Sequence, residues 1–160
     1  MKTLYLVRHA KSSWNFENLS DFHRPLGRRG RRDVVRMGDF VRKEVSPPDL
    51  ILSSAASRAF YTALFFADCW NYEERKVVMS EALYHADAHG LASFLKEADE
   101  YATVAMFGHN PGLTSFYNQL CDEFIENIPT CGVVGLSFEI DSWKEIKTGK
   151  RLFFHVPKKI

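Results

Sequence analysis

Cysteine is scarce in this chain: Cys69, Cys121 and Cys131 are the only three in 160 residues, an odd count with no metal-like spacing. That excludes a disulfide-stapled scaffold and reads as reduced thiols in a cytoplasmic protein. No apolar run approaches the ~20 residues of a membrane span. The stretch after Lys2 is far too short for a signal-peptide core before it ends in Arg8-His9. Charge of one sign is lacking too. The 21 basic and 20 acidic side chains leave +1 at pH 7, which excludes an overall nucleic-acid-binding field, though not a local basic patch. Repeats, low-complexity tracts and linkers are absent, so a single domain over residues 1–160 is expected.

What is present is ordinary for a globular chain, 46% apolar and 26% charged, and it alternates strand with helix. Residues 3–7 form a short apolar, partly β-branched run, as buried parallel strands do. Residues 11–24 are polar and aromatic without periodicity, hence a loop. Val34, Met37, Val41 and Val45 recur at helical steps, which predicts a helix over 28–45 ended by Pro47-Pro48. A strand at 50–52 follows, then a helix over 57–70, apolar nearly all round, whose aromatics are assigned to the core. A short strand at 76–79, a helix over 89–98 capped by Asp87 and a strand at 103–107 continue the alternation.

Asn110 as N-cap with Pro111 at the first helical position predicts a helix over 112–121. Residues 133–140 and 151–156 read as antiparallel strands around a turn. The expected fold is α/β: a three-layer α/β/α sandwich around a mostly parallel sheet with an antiparallel element.

Ligands of such sheets bind beyond the carboxyl ends of the strands. Leu4-Tyr5-Leu6-Val7-Arg8-His9 places an Arg-His pair there. Ser53-Ser54-Ala55-Ala56-Ser57-Arg58 and Phe107-Gly108-His109-Asn110-Pro111-Gly112 each place one more cation or imidazole at another strand end. A neutral imidazole with one nitrogen tied to a carbonyl can act as nucleophile. Arginine forks suit phosphoryl oxygens, and phosphoryl transfer is largely positioning and charge neutralisation. Singly, each residue has a bland reading as a surface or turn residue. Together, at successive strand ends, they point to a phosphoryl-transfer site.

These motifs carry a resemblance to the histidine phosphatase superfamily, and within it to the phosphohistidine phosphatases of the SixA type. Leu6–Ser12, Asp21–Gly30, Ser53–Ala63, Gly108–Leu113 and Thr130–Trp143 carry it, in the family's order over nearly the whole chain. Gly108-His109-Asn110-Pro111-Gly112 is its most specific mark. The resemblance implies a phosphoglycerate mutase-like fold and a covalent phosphohistidine at His9. It implies a phosphate pocket completed by Arg8, Arg58 and His109, and neither metal nor cofactor. Ser12 and Asn15 match positions near the phosphate in relatives, and His85 stands where relatives carry a glutamate. Ala10, Gly27 and the pair Phe60-Tyr61 depart from the usual pattern, the last expected on the pocket wall.

The general acid stays open between Glu81, His85, Asp87 and none. A P–N bond needs such help less than an ester, because an imidazole leaving group protonates readily. The substrate is therefore expected to be a phosphorylated protein histidine. The alternatives are a small phosphorylated molecule or a phosphate-binding module without turnover. No nucleic acid or membrane partner is implied. His85 and His89 resemble a metal clamp, but no third ligand is evident. The arginines from Arg24 to Arg36 are read as a solvated helix face.

Overall fold

The computed structural model describes all residues from Met1 to Ile160. Six strands form one sheet: β1 (Lys2–Arg8), β2 (Leu50–Ser54), β3 (Val78–Ser80), β4 (Thr103–Gly108), β5 (Val133–Phe138) and β6 (Lys150–His155), in the order β3-β2-β4-β1-β5-β6. The pairings among β3, β2, β4 and β1 are parallel, and β5 runs antiparallel to both β1 and β6. Four α-helices complete the layers: α1 (Arg28–Glu44), α2 (Ser57–Cys69), α3 (Ala88–Glu97) and α4 (Gly112–Leu120).

The central strands are apolar without interruption because helices cover both faces. In β1, Leu4 and Leu6 join the core under α3 and α4, while Tyr5 and Val7 join the core under α1 and α2. In β4 the same alternation sends Val104 and Met106 one way, Ala105 and Phe107 the other. This is the α/β/α sandwich expected from the alternation of elements. No helix is long and apolar enough to cross a membrane.

Register decides what meets at the carboxyl edge. Arg8 pairs with Gly108, and Ser53 with Phe107, so β1, β2 and β4 end level with one another. His9 and His109 are each the next residue. The chain then leaves β1 through a loop that returns against itself. Ser12 bridges Leu26, and the Gly27 N–H donates to the Lys11 carbonyl at 2.9 Å. Gly30, in the first turn of α1, sits so close that a β-carbon there would lie 2.0 Å from the Lys11 carbonyl oxygen.

Three local expectations are corrected. The last helix begins at Gly112, with Pro111 in the N-cap position. Asn110 caps from one residue farther back, its Oδ1 accepting the Thr114 N–H at 3.3 Å and hydroxyl at 2.8 Å. The α2 aromatics are not all core. Phe66 and Trp70 are buried, but Tyr61 and Phe65 are 52% and 42% exposed, because α2 packs on the sheet by one face only. Arg24 leaves the solvated arginine row: it is 7% exposed, precedes α1, and stacks on Trp14 at 3.4 Å. It donates to Asp21 and Ser12.

Candidate active site

His9 is held by the end of β1. Its own N–H donates to the Gly108 carbonyl at 3.1 Å, and its carbonyl accepts from Cys131 at 3.0 Å. Ring nitrogen Nδ1 lies 2.7 Å from the Ala10 carbonyl oxygen. A carbonyl only accepts, so Nδ1 carries the hydrogen and Nε2 keeps its lone pair. Burial pushes this imidazole down to about 4, with the charges of Arg58, Arg8 and Arg24 acting in the same sense against the Ala10 hydrogen bond. The ring is neutral at physiological pH, and Nε2 is chemically able to act as a base or nucleophile.

Facing it is the ring of His109, 5.2 Å away between centroids and tilted by 49°. His109 is neutral as well, pushed down to about 3 by burial first, then by His9 and Arg58. Its Nε2 lies 2.8 Å from Ser54 Oγ at the end of β2. Arg58, in the first turn of α2, is 6% exposed and donates to the Asp21 carbonyl at 2.7 Å and carboxylate at 2.9 Å. Arg8 donates through Nη1 to the Ile128 carbonyl at 3.0 Å. Burial, then the nearby Arg58, lowers its pKa.

Three buried polar atoms have no partner within the protein: Arg8 Nε, Arg58 Nε and His109 Nδ1. All belong to the residues singled out at the strand ends. Buried donors are almost always satisfied, so their concentration at one place points to an anion. Arg58 and His109 line a cavity of about 350 Å³ together with Asp21, Tyr84, His85 and Asp87.

Of the remaining candidates, His85 lines this cavity, its ring 3.9 Å from that of Tyr84. Ser12 and Asn15 are not on its wall. Ser12 is buried and its hydroxyl accepts from Arg24 Nη1 at 2.6 Å, while Asn15 stands exposed in the loop. Phe60 and Tyr61 do not line the cavity either, since Arg58 is the residue of that helix turned inward. Among the acid candidates, Glu81 is exposed and off the cavity, and Asp87 is engaged as the cap of α3, accepting the Gly90 N–H at 2.8 Å. No group of three or more His, Cys, Asp or Glu side chains is gathered to hold a metal ion.

Sequence reasoning missed Asp21, Tyr84 and Ser54. The Asp21 carboxylate is held far below the usual range, by the Tyr84 hydroxyl first, then by Arg24 and Arg58. It therefore stays ionised on the cavity wall. Asp21 lies within a stretch that carried the family resemblance, and Ser54 closes an apolar run, but neither signal names the partner.

Comparison with known proteins agrees with this geometry. Residues 4–87 match the model of the histidine phosphatase superfamily (branch 1). A chloroplastic protein of Arabidopsis thaliana is 28% identical over 153 residues, 90% of this chain and 70% of that one. A crystal structure from Agrobacterium tumefaciens, described as a phosphohistidine phosphatase SixA, superposes with a TM-score of 0.85 at 25% identity over 98% of both chains. The protein histidine phosphatase SixA complexed with tungstate shares the fold, with a TM-score of 0.83 at 19% identity over 98% of this chain and 97% of that one. With its family match over more than half its length and a SixA fold from end to end, the chain belongs to the histidine phosphatase superfamily and is a phosphatase of the SixA type.

Proposed function

We propose that the chain is a protein phosphohistidine phosphatase in which His9 is the nucleophile. The observation that carries this reading is the imidazole of His9, neutral, with Nδ1 tied to Ala10 and its ring centroid 5.2 Å from that of His109. In the first step, Nε2 attacks phosphorus in line and the P–N bond to the substrate imidazole breaks. The leaving nitrogen takes a proton from solvent. In the second step, water attacks phosphorus, the bond to His9 breaks, and inorganic phosphate departs. Arg8, Arg58 and His109 hold the equatorial oxygens and neutralise charge as it develops. The scheme uses no cofactor, and a cytoplasmic setting suits the three unpaired thiols.

Phosphohistidine is favoured over phosphate esters because no carboxylic acid is poised over the cavity. Asp21 is ionised, Asp87 is engaged as a helix cap, and Glu81 is elsewhere. An alkoxide leaving group needs a positioned acid, whereas an imidazole protonates readily. The tungstate-bound SixA, with a tetrahedral oxyanion, is consistent with the same chemistry.

The test is turnover of a labelled phosphohistidine peptide and of an aryl phosphate, with chelator present, by wild type and His9→Ala. Chelator-resistant hydrolysis, faster on the peptide, with an acid-labile label on wild type alone, is expected. Activity persisting in His9→Ala removes the proposed nucleophile.

A further inference from the structure

A second concavity, of about 400 Å³, borders the 128–131 segment. That segment is bonded to the Arg8-His9 end of β1. The Ile128 carbonyl accepts from Arg8 at 3.0 Å and from Asn110 at 2.9 Å, and the Cys131 N–H donates to the carbonyls of Arg8 and His9. Between them, Pro129 and Thr130 line the second concavity. Its remaining lining includes Arg29, Arg32, Arg36 and Lys158, with Asp33 as the one carboxylate.

The charge there is not balanced. Asp33 is 4% exposed, and Arg29, Arg32 and Arg36 stand 3.5, 3.8 and 3.9 Å from its oxygens. These separations are too long for good hydrogen bonds. One buried carboxylate faces three guanidinium groups, of which Arg36 alone also donates to the Ile160 oxygen at 3.1 Å, and their side chains remain 54%, 66% and 46% exposed. Lys158 adds a fourth cation. The first turn of α1 contains no acidic residue, so Arg29, which lines the concavity, faces the positive end of the helix dipole. Stability alone does not favour that arrangement. An anion entering the concavity relieves it.

We propose that this concavity is an exosite for an acidic stretch of the phosphorylated protein substrate. The inference rests on the phosphohistidine reading and adds to it a class of partner. The 128–131 segment joins this concavity to the Arg8-His9 strand end, so one protein surface can present its phosphoryl group to His9 and its carboxylates to the arginines. Guanidinium forks match carboxylates bidentately. Complementary charge of this kind acts mainly on encounter and KM, and weakens with salt.

The experiment uses two phosphohistidine peptides, one with acidic and one with neutral flanks, and an aryl phosphate. Wild type is compared with Arg29→Gln/Arg32→Gln/Lys158→Gln and with a charge-matched control, Arg75→Gln/Lys76→Gln/Lys96→Gln. For wild type and control, a roughly tenfold lower KM on the acidic peptide is expected, shrinking with added salt. In the exosite variant that preference disappears, while kcat on all three substrates stays within about twofold.

Equal KM for both peptides in wild type overturns the exosite and leaves the phosphatase reading intact. So does a preference that survives in the exosite variant. If neither peptide is hydrolysed, the phosphatase reading fails. The exosite is then judged by anisotropy with the unphosphorylated acidic peptide, and absence of binding, or tighter binding of a single-stranded oligonucleotide, overturns it.

Discussion

Ser54 Oγ, on a fully buried residue, lies 2.8 Å from Nε2 of His109. The same oxygen accepts the Ala56 N–H at 3.2 Å and meets no other acceptor for its own hydrogen, which is therefore assigned to the ring. Neutral His109 is thereby assigned the Nδ1–H tautomer, leaving as donor the nitrogen that has no protein partner. Ser54→Ala removes that constraint and leaves a buried ring nitrogen unpaired. We expect kcat/KM to fall roughly 10- to 30-fold, equivalent to about 1.4–2 kcal/mol. Nitrogen-15 spectra of wild type should show the Nδ1–H form, and the opposite tautomer sinks the assignment.

Asp21 holds both terminal nitrogens of Arg58, through its carbonyl and its carboxylate. An incoming oxyanion must share the guanidinium with that negative charge. Asp21→Asn keeps the shape and removes the charge, so inorganic phosphate or tungstate should inhibit the variant about fivefold more tightly. Inhibition constants measured by turnover of an aryl phosphate check this, and weaker inhibition means Asp21 organises Arg58 more than it competes with substrate.

Acid should destabilise the fold through the histidine pair. His9 and His109 are pushed down to about 4 and about 3 from an ordinary 6.5, so the unfolded chain takes up protons first. Stability is then complete above pH 6.5 and is lost as pH falls toward 4 and 3. At 1.36 kcal/mol per pH unit, His9 alone accounts for roughly 3 kcal/mol at the bottom of that window. Urea unfolding at pH 7, 5 and 4 should show this loss in wild type and a shallower one in His109→Asn. Turnover should persist to about pH 5, since His9 is still neutral there.

Two helical glycines should respond with opposite sign. Alanine normally stabilises a helix relative to glycine by about 0.5–1 kcal/mol. Gly90→Ala in α3 meets only Ala86 and Asp87 side chains at 3.4 Å, so a small gain is expected. Gly30→Ala in α1 drives a methyl to within 2.0 Å of the Lys11 backbone oxygen and should destabilise by about 3 kcal/mol. Thermal melts of the two variants decide it, and a stabilised Gly30→Ala would mean the loop after His9 can move away.

Most of the architecture was legible because each central strand is buried on both faces and so is written as an unbroken apolar run. The same logic located Arg8, His9, Arg58 and His109, all at or just past the end of such a run. Boundaries set by side-chain capping were less legible. Asn110 caps α4 from one residue farther back than a simple N-cap pattern implies. Arg24 looked like part of a solvated row because nothing local reveals that Asp21, Ser12 and Trp14 enclose it. Tyr61 and Phe65 looked like core because composition does not say which face of α2 meets the sheet.

Local pattern decided the order of strands and helices and the chemistry available at three strand ends, since burial and periodicity act within a few residues of the chain. Which groups meet was settled only in three dimensions. Asp21 reaches Arg58 across 37 residues, and Ser54 reaches His109 across 55. Such pairings depend on sheet order and register, which bring distant strand ends level, and no short stretch of chain encodes them.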